Sequence, residues 1–204
     1  MSAVLSGNDL CLLRGDRCLF QDLDFALNRG ELLFVEGPNG SGKTSLLRAI
    51  AGLLDFETGE VHWQGVPVQE NAQAFRANLV WTAHRVGFKG DLTLIENLRF
   101  ESGLRVSSLD RLERVLDRLG LTRLTTLPFR SLSAGQQRRV TLARMLLADV
   151  VLWLMDEPFT NLDTDGQALV TELVDEHLGA GGMAVIASHQ PVQLDAPTER
   201  IRLQ

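Results

Sequence analysis

Gly37-Pro38-Asn39-Gly40-Ser41-Gly42-Lys43-Thr44, preceded by the apolar run Leu32-Leu33-Phe34-Val35 and followed by Leu46, Leu47 and Ile50, is the stretch that decides how this chain folds. Glycines in such a run let backbone N–H groups turn inward onto an anion. A helix beginning directly behind them presents its positive N-terminal end to the same charge. The apolar run reads as a buried strand, and the spacing of Leu46, Leu47 and Ile50 as one face of a helix that stops at Gly52. Strand, G-x-x-x-x-G-K-[ST] and helix in this order make a nucleotide phosphate-binding loop. Its cradle is Gly37, Pro38, Asn39, Gly40, Ser41 and Gly42. Lys43 is expected to reach the β and γ phosphates, Thr44 to offer its hydroxyl to a bridging Mg²⁺, and Ser45 to add a phosphate contact.

Working outward, 204 residues with 45% hydrophobic and 23% charged content suit one α/β domain and are short for two. A net charge of -6 argues against nucleic acid as a partner, because phosphate neutralisation needs clustered Lys and Arg. No apolar run approaches the ~20 residues of a membrane span, and the N-terminal residues do not read as a signal peptide. The expectation is a cytoplasmic chain that reaches a membrane only through a partner. Cys11 and Cys18 suit neither a zinc nor a redox motif and read as structural thiols in a reducing compartment.

A second apolar run, Val150 to Met155, ends in Asp156-Glu157-Pro158. Carboxylates at the C-terminal end of a buried parallel strand face the ligand crevice of an open α/β sheet. Asp156 is placed to hold the Mg²⁺ shell. Glu157, one step further out, is placed to polarise the attacking water as a general base. Upstream, Ser133 followed by Gln136 is a helix-start signature, and Val140, Ala143, Leu146 and Leu147 continue the apolar face. A serine-glycine N-terminus of this kind leaves backbone N–H groups open to an anion.

Leu132-Ser133-Ala134-Gly135-Gln136 resembles the signature motif of the ATP-binding cassette family. The resemblance covers nearly the whole chain. It implies an α/β fold: a phosphate-loop ATPase core with a mostly parallel sheet, N-terminal antiparallel strands and an inserted helical subdomain. On this chain that gives a single domain over 1–204, with core about 1–83 and 141–204 and the helical subdomain about 84–140. It also implies ATP and Mg²⁺ as cofactors and a head-to-tail homodimer, in which Ser133, Gly135 and Gln136 act on the partner's nucleotide. Thr160-Asn161-Leu162-Asp163 resembles the family's D-loop, which gives Asp163 a place between the two active sites, and Ala187-Ser188-His189 resembles the switch histidine that contacts the γ-phosphate. Two positions depart from the pattern. His84 stands where the family usually carries a glutamine, and Arg14 where an aromatic ring usually stacks on adenine. His62 and His177 match no motif and read as structural or solvated.

Within the helical segment, Leu92 to Leu98 is expected to begin one helix. Ser107 to Asp110 is expected to open another, with Leu109, Leu112, Leu116 and Leu119 on one face and Gly120 as its stop. The loop Arg85 to Asp91 is where the family receives a short helix from a membrane subunit, and Phe88 there is either an exposed anchor or a ring folded back on the core. Only a short tail is expected after His189, with no appended regulatory domain.

The small size, Val61-His62-Trp63-Gln64-Gly65, His84, Glu96-Asn97-Leu98-Arg99-Phe100 and Ala187-Ser188-His189-Gln190 together are similar to the haem-exporter ATPases of cytochrome c biogenesis. That resemblance implies a motor subunit held peripherally on the cytoplasmic face of the inner membrane by membrane-spanning transporter subunits. Hydrolysis would be tied to haem export or to release of a haem-loaded chaperone. No Cys-Pro or His-Met pair is present, so no direct haem site is expected. A cassette for lipid or peptide export is the neighbouring alternative. A soluble ATP-switched clamp usually carries two cassettes or a long coiled coil, and a non-hydrolysing module would lack Glu157 or Lys43.

Overall fold

The computed structural model describes residues 3–83, 87–104, 111–160, 162–190 and 194–204. His84, Asn161 and the helix opening expected at Ser107 to Asp110 lie outside the described residues. The strands are β1 (Leu5–Arg14), β2 (Arg17–Leu27), β3 (Leu32–Glu36), β4 (Thr58–Trp63), β5 (Val66–Pro67), β6 (Leu79–Thr82), β7 (Leu152–Asp156), β8 (Met183–Ser188) and β9 (Thr198–Arg202). The helices are α1 (Lys43–Ile50), α2 (Ala72–Ala77), α3 (Leu94–Leu104), α4 (Leu112–Arg118), α5 (Ala134–Leu147) and α6 (Thr164–Gly179).

An antiparallel sheet in the order β2-β1-β4-β5 packs over a parallel sheet in the order β6-β7-β8-β3-β9. Alternate residues of each parallel strand serve two different cores. Leu33 and Val35 of β3, with Leu152 and Leu154 of β7, join the cluster shared with β1, β2 and α1. Leu32 and Phe34, with Trp153 and Met155, join the cluster shared with α3, α4, α5 and α6. Both faces are covered, which is why these strands read as continuous apolar runs rather than as alternation.

Local signals place the helices well. α1 ends at Ala51 with Gly52 in the left-handed region, and Leu46, Leu47 and Ile50 are fully buried. α3 starts at Leu94, where Thr93 and Glu96 exchange bonds: the Glu96 N–H donates to Thr93 Oγ1 at 3.2 Å and the Thr93 N–H to Glu96 Oε2 at 2.8 Å. Leu116 and Leu119 of the leucine stripe are buried, and Gly120 follows α4 at φ 65°.

The region after His189 departs from expectation. Rather than trailing as a tail, it contributes β9, which lies parallel to β3 from Leu32↔Thr198 to Glu36↔Arg202 and buries Ile201 and Leu203. Its sequence, Thr-Glu-Arg-Ile-Arg, carries one apolar residue and hence no usable periodicity; Glu36, between Arg200 and Arg202, anchors it by ion pairs. The cysteines also differ from expectation, since Cys18 is exposed and Cys11 only partly buried, both outside the core clusters.

Candidate nucleotide site

Because β3, β7 and β8 run parallel, with Glu36 opposite Ser188 and Asp156 opposite Ala187, the segments leaving the three strands meet at one edge of the sheet. The phosphate loop leaves β3, Glu157 leaves β7 and His189 leaves β8. The sequence separates the loop from the other two by more than a hundred residues; strand register makes them neighbours.

The loop needs glycine for two different reasons. A Cβ on Gly37 would stand 2.5 Å from Ser41 Oγ and 2.6 Å from the backbone oxygen of Leu203, so the residue that follows β9 closes off that position. Gly42, at φ 105°, is the residue before α1 and lies over Leu19, whose Cβ is 3.2 Å from where its own would be. Gly42 gives α1 no side-chain cap, which leaves the first N–H groups of the helix to a ligand.

Around the loop the charges engage one another. The Lys43 side chain is 6% exposed, and its ammonium donates to the carbonyls of Gly37 at 2.7 Å and Pro38 at 3.1 Å, with Glu157 Oε1 3.5 Å away. The Thr44 hydroxyl donates to Asp156 Oδ2 at 2.8 Å, and Asp156 is 1% exposed. Glu157 Oε2 lies 2.9 Å from His189 Nδ1. An ionised carboxylate can only accept, so the hydrogen sits on Nδ1, and in the neutral ring Nε2 is left as an acceptor. Glu157 itself has φ 51°, a conformation costing on the order of 1–3 kcal/mol in a non-glycine residue. Its N–H is fixed to the Ala187 carbonyl at 2.8 Å.

A cavity of about 350 Å³ opens over these groups, with Arg14 and Leu19 on one side and Lys43, Thr44, Asp156 and Glu157 on the other. Asn39, Gly40, Gly42 and Ser45 complete its wall. Gly37, Pro38 and Ser41 do not line it; Ser41 is 2% exposed, and the Gly37 and Pro38 carbonyls hold Lys43. A hydroxyl beside a buried carboxylate is a hard oxygen pair of the kind that suits Mg²⁺, so Thr44 and Asp156 fit that ion. Arg14 borders the cavity. Leu19, which no motif singled out, borders it too. A larger cavity of about 510 Å³ lies by His177 and Gly182, but among its arginines Arg118 is already bound to Glu172 and Glu176.

The remaining expected site residues lie apart from this cavity. Ser133 caps α5 in a full box: the Gln136 N–H donates to Ser133 Oγ at 3.2 Å, and the Ser133 N–H to Gln136 Oε1 at 2.9 Å. The box satisfies those donors and leaves the N–H groups of Ala134 and Gly135 to an incoming acceptor. Asp163 caps α6 through the Gly166 N–H at 2.8 Å, a structural duty that the motif reading did not foresee. Phe88 is folded back: its ring packs on Phe129 at 5.0 Å, with the Arg144 guanidinium 5.3 Å from its centroid. The exposed ring nearby is Phe100, 45% exposed, with Lys89 Nζ 4.0 Å from its centroid.

Residues 20–160 match the ABC transporter family. This chain belongs to that family. As an ABC ATPase it binds and hydrolyses ATP. Among its relatives, the cytochrome c biogenesis ATP-binding export protein CcmA of Methylococcus capsulatus is 44% identical over 98% of both chains. The proteins of the same name from Nitrosospira multiformis and Pasteurella multocida are 44% and 43% identical, covering 98% and 95% of this chain and 98% and 92% of their own. In fold, the cassette is similar to an ABC transporter ATP-binding protein from Pyrococcus furiosus, with a TM-score of 0.83 at 23% identity over 96% of each chain. It is also similar to an ATP-binding cassette of an ABC transporter in its ADP conformation, with a TM-score of 0.80 at 22% identity over 94% of this chain and 83% of that one.

Proposed function

We propose that this cassette is the motor subunit of a membrane export complex serving cytochrome c assembly, held peripherally on the cytoplasmic face of the inner membrane. The observation that carries the chemistry is Glu157, aimed from a left-handed corner so that one carboxylate oxygen is 3.5 Å from Lys43 and the other 2.9 Å from His189. When ATP enters, Lys43 exchanges carbonyl and carboxylate for phosphate oxygens. Glu157, relieved of its cation, accepts the proton of the water that attacks the γ-phosphorus, and ADP departs as the leaving group. His189 holds the carboxylate through Nδ1 and keeps Nε2 as an acceptor. Thr44 and Asp156 would hold Mg²⁺, which when bound would neutralise phosphate charge. Arg14 faces the adenine, its guanidinium able to stack where an aromatic ring is missing.

Ser133, Gly135 and Gln136 act on the nucleotide of a second copy, head to tail, with Asp163 at the junction and the segment about 84–140 as the helical subdomain that carries them. The free N–H groups of Ala134 and Gly135 support this. No described helix is long and apolar enough to cross a membrane. Recruitment on this reading is by membrane-spanning subunits, and the exposed Phe100 beside Lys89 takes the role expected of Phe88. The link to cytochrome assembly is supported by relatives that are 44% identical over 98% of the chain. Complementation of a deletion strain tests it. The wild-type gene restores c-type cytochromes and sediments with membranes, whereas Glu157→Gln restores none and Phe100→Asp stays soluble. A deletion strain with normal c-type cytochromes overturns the cytochrome assignment and leaves lipid or peptide export as the reading of the same ATPase.

A further inference from the structure

Arg138 falls between the recognised motifs, yet it joins two of them. It lies on α5, little more than one turn beyond the Ser133 cap, and its guanidinium leaves the helix toward the end of β7. There Nε donates to the Pro158 carbonyl at 3.1 Å and Nη2 to the Glu157 carbonyl at 3.1 Å. Both carbonyls follow the corner at which Glu157 adopts φ 51°, the first of them being its own. A left-handed non-glycine residue persists only where its surroundings over-determine it. Here the Ala187 carbonyl holds the corner on one side and Arg138 on the other. Burial presses the guanidinium below its ordinary value, while Asp156 and then Glu157 favour the charged form. A planar fork with donors at fixed spacing meets two successive carbonyls in a way a lysine ammonium cannot.

We propose that Arg138 is a positioning residue that fixes the Glu157 corner and mechanically joins the Ser133 end of α5 to the base. A helix is stiff over so short a distance, so a displacement of the signature end, such as docking on a partner's nucleotide, is delivered at the carbonyl of Glu157. Each copy's base is then set by the site its own signature occupies. The proposal rests on Glu157 being the base.

The test uses the membrane complex carrying Arg138→Lys, Glu157→Gln or both, with ATP turnover measured against ATP concentration and nucleotide binding and thermal melting as fold controls. Arg138→Lys should lower kcat by ~10–10²-fold, as expected when a reacting group is displaced by a fraction of an ångström to an ångström, while KM moves less than about threefold. In the Glu157→Gln background the same substitution should cost nothing further, because its effect passes through that carboxylate. Turnover of Arg138→Lys within about twofold of wild type, a loss carried by KM, or an equal loss in both backgrounds overturns the positioning role. Should Arg138→Met fail to fold, Arg138→Lys keeps the charge and the stem and still decides the matter. A Glu157→Gln protein that turns over normally defeats the base assignment instead, and the two failures are read from different variants.

Discussion

The two ends that the proposed function brings to a nucleotide are both helix N-termini, and they are finished in opposite ways. α1 starts behind Gly42 with no side-chain cap, and the charged groups around it have engaged one another: Lys43 with two carbonyls, Thr44 with Asp156, Glu157 with His189. α5 starts with a complete capping box, no acidic residue in its first turn, and Ser133 and Ala134 exposed. The first end is a network that substrate must rearrange. The second is a neutral platform whose geometry is set before any ligand arrives. Buried charged groups left unpaired cost several kcal/mol, so the loop must keep its ions paired. An exposed neutral helix start has no such requirement. The contrast supports the proposed division: chemistry at the first end, where groups change partners, and recognition at the second, where they do not.

The most severe way to break that contrast is to remove the group on which the first network converges. Glu157→Gln keeps the shape and a hydrogen-bonding head but cannot take a proton, so ATP binding should persist while turnover of the complex falls by ~10²–10⁴-fold. Turnover within a few-fold of wild type removes Glu157 from the chemistry. Lys43→Ala acts earlier. It takes the ammonium from the Gly37 carbonyl and leaves the phosphates without their cation, so nucleotide affinity itself should collapse, measurable by equilibrium binding of a fluorescent ATP analogue.

A milder pair of substitutions sharpens the contrast at the other end by separating cap from platform. Asp is as good an N-cap as Ser, so Ser133→Asp should leave the thermal midpoint within a few degrees of wild type. It nevertheless places a negative charge where a phosphate is to dock, and should lower turnover by ~10-fold or more while the chain's own ATP binding is unchanged. Ser133→Ala should do the reverse in kind, losing ~0.5–2 kcal/mol of stability with the cap. If Ser133→Asp hydrolyses ATP normally, the signature end is only a helix start.

How much of the molecule was legible in its sequence obeys the same division. Elements whose determinants are local came through: β3, α1 and its Gly52 stop, β8 from Met183 to Ser188, and the Ser133 box were all readable from period and caps. What the sequence hid was made by distance. β9 owes its place to Glu36 and β3, more than 150 residues away, and Gly37 owes its glycine partly to the Leu203 oxygen that β9 delivers. Arg138 looks like any charged helical residue until the carbonyls of Glu157 and Pro158 are brought beneath it. Phe88 could have gone either way; Phe129 and Arg144, far along the chain, decide that it turns inward.

The smallest predicted effect isolates the scaffold from both ends. His177 is stacked on Trp153 with ring centroids 4.0 Å apart and planes 7° apart, at the edge of the sheet opposite the phosphate loop. Its Nε2 faces the carbonyls of Val151 at 3.1 Å and Met183 at 3.3 Å, both acceptors, so the neutral ring carries its hydrogen there. Burial holds this histidine below its ordinary value, against the opposing pull of the two carbonyls. The native ring thus stays neutral at a pH where the unfolded chain has already taken up a proton. Stability should be intact above the unfolded value near pH 6.5 and decline as pH falls below it, until the native ring itself titrates. The slope contributed by one such group is at most about 1.4 kcal/mol per pH unit. His177→Phe keeps the stack but removes the ring donor shared by the two carbonyls, so it should be less stable throughout, with the histidine's share of the acid slope gone. Urea unfolding between pH 7.5 and 5.5, with and without ATP, measures both. Because the ring lies away from either nucleotide-facing end, ATP should raise the stability of wild type and variant alike without altering the difference between their slopes. A slope difference that vanishes when ATP binds would mean that the two edges of the sheet are coupled, and that the division between reactive end and inert scaffold does not hold.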